Sequence, residues 1–281
     1  MKQRNSTYIL SLCLILLLGI ESLFAANKPK VYRWYAPSSP IYQALWQSFK
    51  SSRTDRAPLR IVHLGDSHIT SGFTTVPIRE RLCGQYGDSI QVQHWGINGA
   101  TYVTYSIQAE IDRIVKAKPD LLIVSLGTND SYTFRFSAEE FRANMATFFT
   151  LLEKSLPNLP IVMTTPPPSF LKTASRVAYA RGRARGKRKS VPRTVVNYSY
   201  NKNTGTAART MDYLARQRGY TLINLYGSIG TEREANHWLA KGWMHTDRTH
   251  YTVAGYTKHG EYIAAALVEI IEQSKPLVGH K

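Results

Sequence analysis

Ser67 stands within "IVHLGDSHITSG", residues 61–72, between an aspartate and a histidine, where a run of strand-forming residues gives way to helix-like sequence. A hydroxyl at such a point is either a nucleophile displayed on a strand-to-helix turn or a cap on the helix that follows. Near the other end, "HTDRTHYT" at 245–252 holds Asp247 and His250, the only Asp-x-x-His in the chain. That spacing lets a carboxylate reach the imidazole Nδ1 from one short loop, which would hold the tautomer and stabilise the imidazolium formed in proton transfer. Two further polar stretches stand out, "GINGAT" at 96–101 and "GTND" at 127–130. Each has a plainer reading as a turn or helix start, and none is specific alone. A metal reading of His245, Asp247 and His250 is weaker, because no cysteine or glutamate cluster joins them. No cofactor is expected.

These pieces need elements that bring them together. "LRIVHL", "SIQVQHW", "DLLIVSL", "PIVMTT" and "YTLINL" read as five short strands rich in β-branched and aliphatic residues. Between and around them "PIYQALWQSFKSS", "VPIRERLCGQY", "IQAEIDRIVKAK", "SAEEFRANMATFFTLLEKSL", "GTAARTMDYLARQRG" and "VAGYTKHGEYIAAALVEIIEQS" read as helices. Ser137 with Glu140 three residues on forms a capping-box pattern at the start of the fourth. Continuously apolar strands alternating with helices predict a doubly wound, flavodoxin-like α/β fold: three α/β/α layers around a five-stranded, mainly parallel sheet. Ligands bind such sheets at the carboxyl ends of the strands, and that is where the Gly-Asp-Ser, "GINGAT" and "GTND" stretches fall. His63, inside a strand, and His94, at a strand end, read as structural, and Asp66 as holding its loop or capping the next helix.

Taken in order, the four stretches resemble the SGNH or GDSL hydrolases: Gly65-Asp66-Ser67, Gly99 in the second block, Gly127-Thr128-Asn129-Asp130, and Asp247-Arg248-Thr249-His250. The likeness covers about residues 59–272. It implies a serine esterase in which Ser67 is the nucleophile, His250 the base and Asp247 its orienting carboxylate. It also implies an oxyanion hole built from the Ser67 and Gly99 backbone N–H groups and the Asn129 side-chain amide. Glycine at 99 would let the main chain approach the substrate closely. His68 departs from the family's usual leucine. It is read as a substrate contact, and as favouring the branch that acts on envelope glycans.

The ends and the charge bound the setting. Lys2 and Arg4, then "YILSLCLILLLGI" and the small residues of "ESLFAAN", predict a signal peptide over 1–26, cut after Ala25 or Ala26. The expected mature chain has no transmembrane segment and is periplasmic or secreted. Residues 27–58 read as an N-terminal extension with a helix, and 59–275 as a single hydrolase domain with a basic insertion at 169–203. Of two cysteines only Cys83 lies beyond the signal, so no internal disulfide is expected and the thiol reads as a packed small hydrophobe. The chain carries 36 Lys and Arg against 19 Asp and Glu, a formal charge of +17. Export argues against nucleic acid as the anionic partner. Residues 172–193 hold nine basic residues and no acidic one. Three readings fit them: a solvated loop, a contact for an anionic cell-envelope polymer or glycan, or a membrane-surface or nucleic-acid contact. Tyr179, Arg181, Arg183 and Arg185 are the candidate substrate contacts, with Tyr198 and Tyr200 able to stack on sugars. The resulting expectation is removal of O-acyl groups, acetyl foremost, from a glycan such as peptidoglycan. O-acyl transfer with the same residues and non-catalytic envelope binding stand as alternatives.

Overall fold

The structure is a computed structural model that describes residues 32–33, 39–51, 58–179 and 191–276. The chain enters by a two-residue strand, β1 (Tyr32–Arg33), and a helix, α1 (Pro40–Ser51). The first parallel strand, β2 (Leu59–Gly65), runs into a single helical turn, α2 (Ser67–Thr70), and then α3 (Thr75–Tyr86). Strand β3 (Ile90–Gly96), the turn α4 (Tyr102–Tyr105) and helix α5 (Gln108–Ala117) follow. Next come β4 (Leu121–Ser125), the turn α6 (Thr128–Ser131), α7 (Ala138–Ser155) and β5 (Ile161–Thr164). Two long strands, β6 (Phe170–Tyr179) and β7 (Val191–Tyr200), precede α8 (Lys202–Arg218) and β8 (Thr221–Ile223). The chain closes with α9 (Leu225–Ile229), α10 (Glu232–Ala240) and α11 (Val253–Gln273).

Strands β8, β5, β4, β2 and β3 make a parallel sheet in that order, as expected for a doubly wound fold. The sheet has one strand more than the five expected. Within the stretch read as an N-terminal extension, Tyr32 and Arg33 pair antiparallel with Ile223 and Leu222 on the outer side of β8. Side chains alternate across the pleat. Val62, Leu64, Leu122, Val124 and Met163 face α5, α7 and α8, while Ile61, Leu121, Ile123, Val162 and Ile223 face α1, α3 and α11. Each face therefore buries its own apolar cluster, and Cys83 packs at the margin of the second.

The larger revision concerns 169–203. The insertion is not wholly loop: β6 and β7 pair antiparallel over their whole length, from Phe170↔Tyr200 to Tyr179↔Val191. The β-branched stretch "RTVVNYSY" supplies one side of a free-standing ribbon. Its root joins a third cluster, in which Phe170 packs with Tyr251, Tyr256 and Trp238. Arg181, Arg183 and Arg185 lie outside the described residues, as does the proposed signal segment.

Register sets the floor of the site. Gly65 lies opposite both Gly96 and Ser125, and Ser125 opposite Thr164, so the carboxyl ends of four strands finish level. The Tyr105 hydroxyl sits 2.8 Å from the Gly65 carbonyl and 2.9 Å from that of Trp95, tying the ends of β2 and β3 together. The chain reverses direction across the sheet between β3 and β4, with β2 central, which makes the end of β2 the switch point where such sheets bind ligands.

Candidate active site

Ser67 is the first residue of α2, directly after the end of β2. Asp66 accepts the His68 N–H at 2.9 Å and so caps this turn; Ser67 is left half-buried with its hydroxyl facing the loop before α11. There Ser67 Oγ lies 2.9 Å from His250 Nε2, across 183 residues of sequence. His250 Nδ1 lies 2.8 Å from Asp247 Oδ2. The other carboxylate oxygen of Asp247 accepts the Thr249 and His250 backbone N–H groups at 3.0 and 2.9 Å. Burial raises the Asp247 carboxyl, but those two amides and the His250 ring outweigh it and hold it below the ordinary value. Asp247 is therefore an anion at neutral pH. A neutral imidazole bonded this way presents the Nε2 lone pair to the Ser67 hydroxyl, which is the geometry for proton removal from an attacking oxygen.

The proposed oxyanion donors stand on neighbouring turns. Asn129 Nδ2 donates to the Ala100 carbonyl at 3.0 Å and lies 3.5 Å from Asp66 Oδ2, which holds the amide between α6 and the Gly99 turn. Gly99 has φ of 76°, and a Cβ there would meet nothing within 4 Å. Glycine at this position answers to the left-handed backbone rather than to crowding. From Asn129 a groove of about 330 Å³ runs past Thr101, Arg135, Phe136 and Asn144.

His68 is a correction. Its side chain is only 5 % exposed, its Nδ1 lies 3.1 Å from the Tyr256 hydroxyl, and its ring packs 5.5 Å from that of His250. It backs the site from inside and does not face a substrate. Nothing in the one-dimensional pattern shows this inward turn, which is set by the packing of α11 behind α2. Tyr179 pairs at the far end of the ribbon, roughly 30 Å of extended strand from the root. His63 is fully buried, with Nδ1 3.0 Å from Thr75 Oγ1 and Nε2 2.8 Å from Ser125 Oγ, whereas His94 is exposed on the sheet's edge strand. His245 contributes its backbone N–H to the His250 carbonyl at 2.9 Å, closing the loop.

Burial sets the titration of the groups behind the site. Desolvation lowers His63, His68 and His259 from 6.5 to about 3 each. The unfolded chain then binds more protons between those values, so their contribution is complete above about pH 6.5 and is lost as pH falls toward 3. Desolvation raises Asp66 to about 7 and Asp130 to about 6, with the opposite sign: their contribution is present in acid and lost as pH rises through those values. Three imidazoles against two carboxyls leave a net acid lability, on the order of 1 kcal/mol per pH unit between about pH 6 and 4. The urea midpoint is expected to fall over that interval. Equal midpoints at pH 4.5 and 6.5 would show that the buried imidazoles do not outweigh the buried carboxyls over that interval.

A three-layer α/β/α sheet carrying a hydroxyl, an imidazole and a carboxylate in line at its strand ends defines a serine ester hydrolase. The profile of the GDSL-like lipase/acylhydrolase family matches residues 63–258, and the chain belongs to that family. Among solved structures it is similar to a peptidoglycan O-acetylesterase, at 15% identity and a TM-score of 0.69 over 86% of this chain and 99% of that one. It is also similar to LAE5, an alpha/beta hydrolase from the metagenome of Lake Arreo, Spain, at 17% identity and 0.51 over 78% and 98%. A third is the acetylxylan esterase Axe2 of Geobacillus stearothermophilus, at 17% identity and 0.50 over 76% and 94%. Identities this low show a shared fold. No curated protein matches the chain.

Proposed function

We propose that the protein is an exported serine esterase that removes O-acyl groups, acetyl foremost, from a bacterial envelope glycan such as peptidoglycan. The observation that carries this reading is the line from Ser67 Oγ through His250 to Asp247, at 2.9 and 2.8 Å. His250 takes the proton as Ser67 attacks the ester carbonyl and returns it to the sugar oxygen as the C–O bond breaks, so that the sugar leaves as a free hydroxyl. Water then repeats the sequence on the acyl-enzyme. The Ser67 and Gly99 N–H groups and the Asn129 amide bind the oxyanion.

A glycan is favoured over a long apolar acyl chain by the groove beside Asn129, where Thr101, Arg135 and Asn144 offer polar groups around Phe136. Two neighbours of the same fold act, by their names, as acetyl-glycan esterases, which favours the same substrate class. Among the described residues no helix is long and apolar enough to cross a membrane. The test is acetate release from O-acetylated peptidoglycan, acetylated xylan and short- and long-chain p-nitrophenyl esters, wild type beside His250→Ala. Acetate from a glycan by the wild type alone is the expected result. Equal release by both proteins overturns the esterase reading, and acyl transfer to added glycan without free acetate overturns hydrolysis.

A further inference from the structure

Arg248 lies between Asp247 and His250 and has φ of 56°. Apart from Lys118, at the end of α5, it is the only non-glycine with positive φ among the described residues. A left-handed conformation costs a residue with a Cβ about 1 kcal/mol or more and persists only where its surroundings enforce it. Here the enforcing contacts come from two directions. Within the loop, the Arg248 N–H donates to the His245 carbonyl at 2.9 Å. From the ribbon, the Phe170 N–H donates to the Arg248 carbonyl at 2.9 Å. The guanidinium carbon sits 4.8 Å from the centre of the Tyr198 ring and 5.5 Å from that of Phe170. Phe170 is itself immobilised, buried and edge-on to Tyr200 at 5.6 Å. One further bond closes the joint: the Tyr251 hydroxyl donates to the Pro168 carbonyl at 2.6 Å.

The twist at Arg248 is also what turns the following amides back onto Asp247, so that Thr249 and His250 both donate to its Oδ1. Relaxing the twist releases these amides and swings the imidazole away from Ser67. Displacements near 1 Å at a reacting pair cost up to about 100-fold in rate. Resting on the esterase reading of the site, we propose that Arg248 is a positioning residue: stacked on Tyr198 and Phe170, it clamps the Asp247–His250 loop to the root of the β6–β7 ribbon and aims His250 at Ser67. The ribbon is then a working part of the catalytic apparatus as well as a basic projection.

The test uses p-nitrophenyl acetate turnover, fluorophosphonate labelling of Ser67 and thermal melting of the full chain, for Arg248→Ala, Tyr198→Ala, Tyr198→Phe and the Arg248→Ala/Tyr198→Ala double variant. Arg248→Ala is expected to lower kcat by about 10- to 100-fold with KM within about twofold, and to slow labelling in parallel. Tyr198→Ala should show the same deficit, and the double variant no more than the larger single loss, since both remove one clamp. Tyr198→Phe keeps the ring and should keep the activity. Should Arg248→Ala fail to fold, the contrast between Tyr198→Ala and Tyr198→Phe decides the matter alone. The proposal is overturned if kcat of Tyr198→Ala or of Arg248→Ala stays within twofold of wild type, or if the loss falls on KM alone. A wild type inert to the fluorophosphonate would instead overturn the serine-hydrolase reading, a separate outcome.

Discussion

Ser67→Ala is expected to fold as the wild type does and to lose ester hydrolysis by roughly 10⁴-fold or more, the scale seen when a nucleophile is removed from a serine–histidine–carboxylate unit. The variant surrenders one half-buried hydrogen bond, from Ser67 Oγ to His250 Nε2, with a stability cost of about 1 kcal/mol. The cap on α2 comes from Asp66 and is untouched. That separation makes the prediction sharp, because a serine that merely started a helix would show the reverse pattern, a shift in stability with little change in rate. Asp247→Asn should follow at a comparable loss, since an amide at that place favours the wrong imidazole tautomer. The measurements are kcat/KM on p-nitrophenyl acetate and the urea midpoint of each variant. Retention of a tenth of wild-type activity by Ser67→Ala would dismiss Ser67 as the nucleophile.

The second large effect lies under the nucleophile. A Cβ added at Gly96 would sit 2.3 Å from the Thr70 backbone nitrogen and 2.5 Å from its Cα. A Cβ at Gly65, its partner in register, would sit 2.3 Å from Ile69 Cγ1 and 2.7 Å from the Ser125 carbonyl oxygen. The two glycines make a bare patch on which the turn carrying Ser67 lies flat against the sheet. Gly96→Ala must therefore push backbone against backbone, and is expected to destabilise by about 3 kcal/mol and to cut kcat by about 100-fold as α2 lifts. Gly84→Ala supplies the contrast. Its Cβ meets nothing within 4 Å inside α3, so a gain of about 0.5–1 kcal/mol is expected, with unchanged activity. Wild-type melting and turnover in Gly96→Ala would mean that α2 does not rest on β3 as described.

Much of this architecture is legible in the residues because its determinants are local. Within "DLLIVSL" and "PIVMTT" the strands "LLIVS" and "IVMT" are apolar up to a small polar last residue, which is the signature of a strand buried on both faces and open at its tip. Ser137, expected as a cap, accepts the Glu140 N–H at 3.2 Å. Other features depend on partners far along the chain. Two residues, Tyr32 and Arg33, are too few to carry a period, and they become strand only because β8 offers a free side. The two ribbon strands pair with each other and stand apart from the main sheet, so their pairing rests on a partner some twenty residues away rather than on a local signal. Helices α9 and α10 are short, at 5 and 9 residues, though Thr231 and Glu234, which bond each other reciprocally at the start of α10, are a capping box that the sequence displays. The direction of His68 is a tertiary matter: position 68 is read from the motif, and what its ring faces is decided by Tyr256 and His250.

The short clasp of Tyr32–Arg33 bears on how copies of this protein keep apart. An unpaired strand side is a template for any extended chain that drifts past. On the β3 side that template is dressed with the exposed polar groups of Gln91, Gln93 and His94. On the β8 side the deterrent is the protein's own leading segment, laid down as two residues of antiparallel backbone. A truncation that begins at α1 would strip this cover and is expected to leave the backbone of Leu222 and Ile223 open to pairing with another chain, read as a gain in aggregation on sizing.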